Sequence, residues 1–69
     1  MKIPKTVAAF KKWARNPRLN TGQIQNIGAC VAFNECKRDS IAGVCRVLAV
    51  VAEECAIRWD KAWDKAASS

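Results

Sequence analysis

Four cysteines, six carboxylates and one repeated tetrapeptide are the parts of this 69-residue chain from which chemistry would have to be built. Histidine and tyrosine are absent, which removes the commonest general base and the usual imidazole metal ligand. Cys30, Cys36, Cys45 and Cys55 are spaced too widely for a zinc site, whose thiolates usually stand two to four residues apart on tight turns. Cys45 and Cys55, on one expected helix, are separated by about 15 Å along its axis and cannot chelate together. Across a helical hairpin Cys36 could meet Cys45 and Cys30 could meet Cys55. The axial offsets on the two helices, roughly 9 and 15 Å, do not match. One bridge is feasible and two in register are not. With no leader pattern, buried free thiols acting as small hydrophobes are the expectation. No metal site and no cofactor are expected.

The carboxylates read the same way. Glu53 and Glu54, and Asp60 with Asp64, lie among basic neighbours on a polar helix face. Glu54 and Arg58 make a helical ion pair of a few tenths of a kcal/mol. Gly22, Gly28 and Gly43 stand alone, so no glycine-rich phosphate loop exists. No nucleophile has a base at a recognisable spacing, and the chain is expected not to be an enzyme.

Binding is better supplied. The net charge is +6, and the first acidic residue is Glu35, so the whole excess sits in the first 34 residues. Lys5, Lys11, Lys12, Trp13, Arg15 and Arg18 form a basic cluster with one large aromatic. Such a cluster suits an acidic protein face, a phosphate backbone or an anionic membrane, and its plainest reading is a device for solubility. A second candidate is the repeat Trp59-Asp60-Lys61-Ala62 and Trp63-Asp64-Lys65-Ala66. A four-residue step puts both indoles on one helix face, where they either extend a core or dock a partner.

Three helices must position these residues. Thr6 is a usable N-cap for the first, and Asn16-Pro17 stops it because a residue before proline avoids the α region. Val7, Phe10, Trp13 and Ala14 share its apolar side, opposite Lys11, Lys12 and Arg15. The second helix starts after Asn20 or Thr21. It carries one stripe of Ile24, Ile27, Gly28 and Val31 and another of Ala29, Phe33 and Cys36. Asp39 or Ser40 caps the third. Its longest stripe, Ile41, Cys45, Leu48, Ala52, Cys55, Trp59 and Ala62, repeats in steps of four and three and predicts the seam against another helix. Gly43, Val47, Val50 and Ile57 form a shorter stripe behind it.

The expected fold is all-α: a single helical domain over 1–69, a bundle of three helices (about 4–16, 21–36 and 40–65) completed by homodimerisation. Val47, Val50 and Ile57 are the expected interface between copies, since two-sided helices leave apolar surface to cover. Sequence-specific DNA recognition is not expected, because the first turns of the third helix read Ile41-Ala42-Gly43-Val44-Cys45 and only Arg46 there suits base reading. The longest apolar stretch, Val44 to Ala52, is interrupted by Arg46 and falls far below the roughly 20 residues that span a bilayer. A cytoplasmic location is expected. The expected function is a non-catalytic helical interaction protein, an inhibitor or adaptor. Its partner would more readily be an acidic protein surface than nucleic acid bound nonspecifically by the same face, and least readily a membrane. Its likeness to small viral or mobile-element inhibitors is one of composition alone.

Overall fold

The first turn of the chain is organised by Thr6, whose hydroxyl accepts from the Ala9 amide at 3.1 Å and starts α1, Val7–Ala14. A computed structural model describes residues 3–68. Asn16 ends α1 with a local turn, its side chain accepting from the Arg18 amide at 3.0 Å. Asn20 then starts α2, Thr21–Lys37, through a reciprocal capping box with Gln23. The Asn20 carboxamide accepts from the Gln23 amide at 2.8 Å, and the Gln23 side chain accepts from the Asn20 amide at 2.9 Å. Two orphan amides are satisfied by one pair of residues.

The turn into α3, Ile41–Ser68, is a Schellman closure. Ser40 N–H donates to the Glu35 carbonyl at 2.9 Å, and Asp39 N–H donates to the Cys36 carbonyl at 3.0 Å. Asp39 occupies the left-handed region, φ 58°, where glycine is the usual residue. Ser40 caps α3 by accepting from the Gly43 amide at 3.2 Å. The described residues therefore form three helices packed together, α2 and α3 as a hairpin with α1 laid against both.

The core is small: Phe10, Ala14, Leu19, Ile24, Val31 and Val47 are buried. Phe10, Ile24, Val31 and Val47 are fully enclosed, each worth about 1.5–3 kcal/mol of apolar transfer before entropy is counted. Gly28 lets α2 approach closely. A Cβ there would lie 2.5 Å from Val51 Cγ2 and 3.1 Å from Phe10 Cζ. Gly43 does the same for Glu35, whose carboxylate oxygen would stand 2.5 Å from a Cβ at 43. Glu35 is the buried charged residue, held over the first turn of α3, where the helix dipole favours a negative group.

Several expectations are corrected here. The inner face of α3 takes Gly43, Val47 and Val50 from the shorter stripe and adds Val51, Glu54 and Arg58, while the heptad stripe contributes Cys55 to the core margin. Val47 is fully buried in the monomer and Val50 is half-buried against the core, so neither is a free surface between copies. Ile57 alone of that set is exposed, at 41 %. Conversely Ile41 (67 %), Leu48 (56 %) and Trp59 (68 %) face outward, as does Cys45. The reason is angular. Residues 43, 47, 51, 54 and 58 share one side, and that side meets Gly28 of α2 and the end of α1. The cysteines are free but not buried as expected: Cys30, Cys36 and Cys45 are exposed, and Cys55 is half-buried. The α2 stripe Ile24, Ile27, Gly28 and Val31 does face the core, whereas Ala29, Phe33 and Cys36 face out.

Beyond Arg58 the third helix contributes nothing to the core among the described residues. Every residue from Trp59 to Ala67 is exposed. About 15 Å of helix therefore projects past the bundle, and the molecule measures 47 × 24 × 15 Å.

Candidate interaction surfaces

The basic surface is built on α1 and the turn after it. Lys11, Lys12 and Arg15 stand opposite the buried Phe10 and Ala14, so the helix period alone turns them outward. Lys5 and Arg18 are exposed before and after the helix. None of these five has an acidic side chain in ion-pair reach among the described residues. Lys2, part of the same charge run, lies outside the described residues. Lys11 and Lys12 also sit in the last turn of α1, where the helix dipole favours cations.

Trp13 is not an open stacking platform. It is half-buried, joins the core margin, and its ring centroid lies 5.9 Å from that of Phe10 with the planes at 31°. Its role is to seat α1.

The base of this surface is held by Arg58, which sequence spacing assigned to a solvated ion pair. Its Nε donates to the Leu19 carbonyl at 2.7 Å. Its Nη2 donates to the carbonyls of Ala14 and Asn16 at 3.1 and 2.7 Å. Its Nη1 reaches the Glu54 carbonyl at 3.0 Å and the Glu54 carboxylate at 3.2 Å. One guanidinium thus closes the C-terminus of α1 and pins the turn carrying Arg15 and Arg18. The carbonyls it satisfies are 39 to 44 residues away in sequence. No periodic signal could have announced that. Spacing found Glu54 and Arg58 as a pair, but not the three distant acceptors.

The second surface is the projecting end of α3. Trp59 and Trp63 are 68 % and 67 % exposed and, with Ala62 and Ala66, line one shallow apolar groove. The structure thus keeps the two indoles together on one face, as the repeat requires, and leaves both open. It does not bring them to the basic cluster, which is gathered at α1 and its following turn.

A smaller groove joins α1 to α3, lined by Val7, Lys11, Arg46, Ala49, Val50 and Glu53. On the outside of α2, Phe33 is 61 % exposed and carries the Lys37 ammonium 4.8 Å above its ring. Among the described residues no three Cys, Asp or Glu side chains are grouped to hold a metal ion, and no helix is long and apolar enough to cross a membrane. Comparison with protein families, with curated proteins and with solved structures found no match to this chain.

Proposed function

We propose that this chain is a non-catalytic helical interaction module, an inhibitor or adaptor, which works as a homodimer and engages an acidic protein surface through the basic face of α1. The observation that carries this reading is the set of exposed cations Lys5, Lys11, Lys12, Arg15 and Arg18, none in ion-pair reach of an acidic side chain among the described residues, with Arg58 fastening the turn that carries Arg15 and Arg18. Uncompensated charge on a fixed scaffold steers association and rejects like-charged partners. An acidic protein is favoured over single-stranded nucleic acid because Trp13, the aromatic of this face, is committed to Phe10 and not free to stack a base. Trp59 and Trp63 supply apolar anchors on a separate surface.

The test is affinity capture from an extract of the source cells, with and without nuclease, comparing the wild-type chain with the triple variant Lys11→Glu, Lys12→Glu, Arg15→Glu. A protein retained by the wild type after nuclease, and lost with the variant, supports the reading. Loss of all retained material on nuclease treatment would favour nucleic acid, with a salt slope that grows with the number of phosphates contacted. Equal retention by both chains would leave the basic face a solubility device.

A further inference from the structure

The longest apolar stripe of α3 is the one the monomer does not use. Ile41, Cys45, Leu48, Ala52, Trp59 and Trp63 lie on the outward side of the helix, and each is exposed. They run in steps of three, four and seven, the spacing by which one helix lines a seam against another. No charged residue falls within the stripe, which extends over about 33 Å from Ile41 to Trp63. The helix accordingly carries two apolar faces. One is closed by α1 and α2, and the other is open except at Cys55, which is half-buried against the start of α2.

Three observations say what closes it. The first is area. The chain exposes 5274 Å², whereas a compact monomer of 7.6 kDa is expected to expose roughly 4300 Å². The excess, about 1000 Å², compares with the ~800 Å² that each partner buries in a standard interface. The second is shape. Ile41, Leu48, Trp59 and Trp63 are the large side chains of the stripe, and Cys45, Ala52 and Ala56 the small ones. Antiparallel pairing of two copies about Ala52 sets Leu48 against Ala56, Cys45 against Trp59 and Ile41 against Trp63. Large meets small at the first two levels, the alternation that dense packing needs. The third is charge. Arg46 and Asp60 lie on one flank of the stripe, and a two-fold axis across antiparallel helices brings the same flanks together. Arg46 then stands within about 3 Å, measured along the axis, of Asp60 of the second copy, and the pair occurs twice, whereas Glu53 on the same flank meets its own copy once, so two attractive pairs oppose one repulsive pair.

We infer that the outer stripe of α3 is the homodimer interface, occupied by α3 of a second copy running antiparallel, with Ala52 near the two-fold axis. The inference rests on the homodimeric part of the proposed function and not on its basic face. It replaces Val47, Val50 and Ile57 with a surface the monomer leaves free.

The experiment combines mass with register. Light scattering on the wild-type chain is expected to give about twice 7.6 kDa at micromolar concentration. Leu48→Glu is expected to return the monomer mass with an unchanged helical circular dichroism spectrum, since Leu48 is half-exposed and outside the core. Register is read from single-cysteine chains in which the other cysteines are serine. A chain whose sole cysteine comes from Ala52→Cys is expected to form a disulfide-linked dimer on mild oxidation. One retaining only Cys45 is expected to stay unlinked, because the two copies of Cys45 would lie about 21 Å apart along the axis. Cross-linking of Cys45 to itself would overturn the antiparallel register. A wild-type dimer that survives Leu48→Glu would overturn this interface while leaving homodimerisation standing. A monomer at all concentrations would overturn both.

Discussion

Arg58 Nε donates to the Leu19 carbonyl at 2.7 Å, joining the far end of α3 to the turn between the first two helices. The same guanidinium satisfies Ala14 and Asn16, so the last turn of α1 finds on another helix the donors it lacks locally. The ion pair with Glu54 serves this arrangement by holding the guanidinium in place, with both side chains about 15 % exposed. Arg58 is thus a fastener between α3 and the basic segment, and the shape of the candidate surface depends on it.

Arg58→Ala is therefore expected to cost about 2–4 kcal/mol, because several partly buried carbonyls lose a charged donor at once. Arg58→Lys recovers only a minor share, since one ammonium cannot reproduce the planar fork. Glu54→Gln costs under about 1 kcal/mol, leaving the carbonyl contacts intact. Urea unfolding ranks the three, and an Arg58→Ala midpoint equal to wild type would remove Arg58 from this role.

At Gly28 two effects oppose each other. Alanine gains about 1 kcal/mol of helix propensity over glycine. Its Cβ, however, would stand 2.5 Å from Val51 Cγ2 and press on the Phe10 ring. Overpacking of this kind costs about 1–3 kcal/mol, so Gly28→Ala is expected to be net destabilising. Adding Val51→Ala makes room, and the double variant is expected to be more stable than the sum of the singles implies. Strict additivity would mean that the two residues do not touch.

The left-handed residue of the hairpin turn predicts the opposite sign. Asp39 bears a Cβ at φ 58°, a conformation that costs roughly 1–2 kcal/mol for an ordinary L-residue and less for aspartate. Asp39→Gly is expected to raise stability by about 0.5–1 kcal/mol, and Asp39→Val to lower it. Thermal melts of both variants check this.

Thiol reactivity follows exposure. Cys30, Cys36 and Cys45 are exposed and are expected to alkylate in the native state, with Cys55 lagging behind them. Cys55 is half-buried, and its sulfur lies 4.0 Å from the Thr21 carbonyl. Cys55→Ala is expected to cost on the order of 1 kcal/mol and Cys30→Ala almost nothing. Mass spectrometry of the time course identifies the order, and simultaneous labelling of all four would contradict it.

Reversing Lys11, Lys12 and Arg15 to glutamate leaves the core untouched. Each change is expected to cost about 0.5 kcal/mol, part of it from placing anions at the C-terminal turn of α1. Helicity by circular dichroism is expected to persist, so that any loss of binding reports the surface itself. A collapse of helicity would show that these cations are structural.

Local signals in the sequence determined where the helices begin and end. Thr6, Asn20 with Gln23, Asn16-Pro17 and Ser40 act on backbone groups within three or four residues, and that range is visible in one dimension. The apolar side of α1 was legible for the same reason, since it opposes a polar side, whereas α2 carries two apolar stripes and only the folded chain turned Ile24, Ile27, Gly28 and Val31 inward. In α3 two apolar stripes share one helical period, and periodicity cannot say which turns inward. The longer stripe, ending in Trp59, promised more buried area. Tertiary contacts chose the side of Gly43 and Val47, because Gly28 admits Val51, Gly43 admits Glu35, and Arg58 finds its acceptors from that side. That choice exposed Leu48 and both C-terminal indoles, and it enclosed Val47. It depended on contacts between residues far apart in the chain, which leave no repeating trace in the sequence.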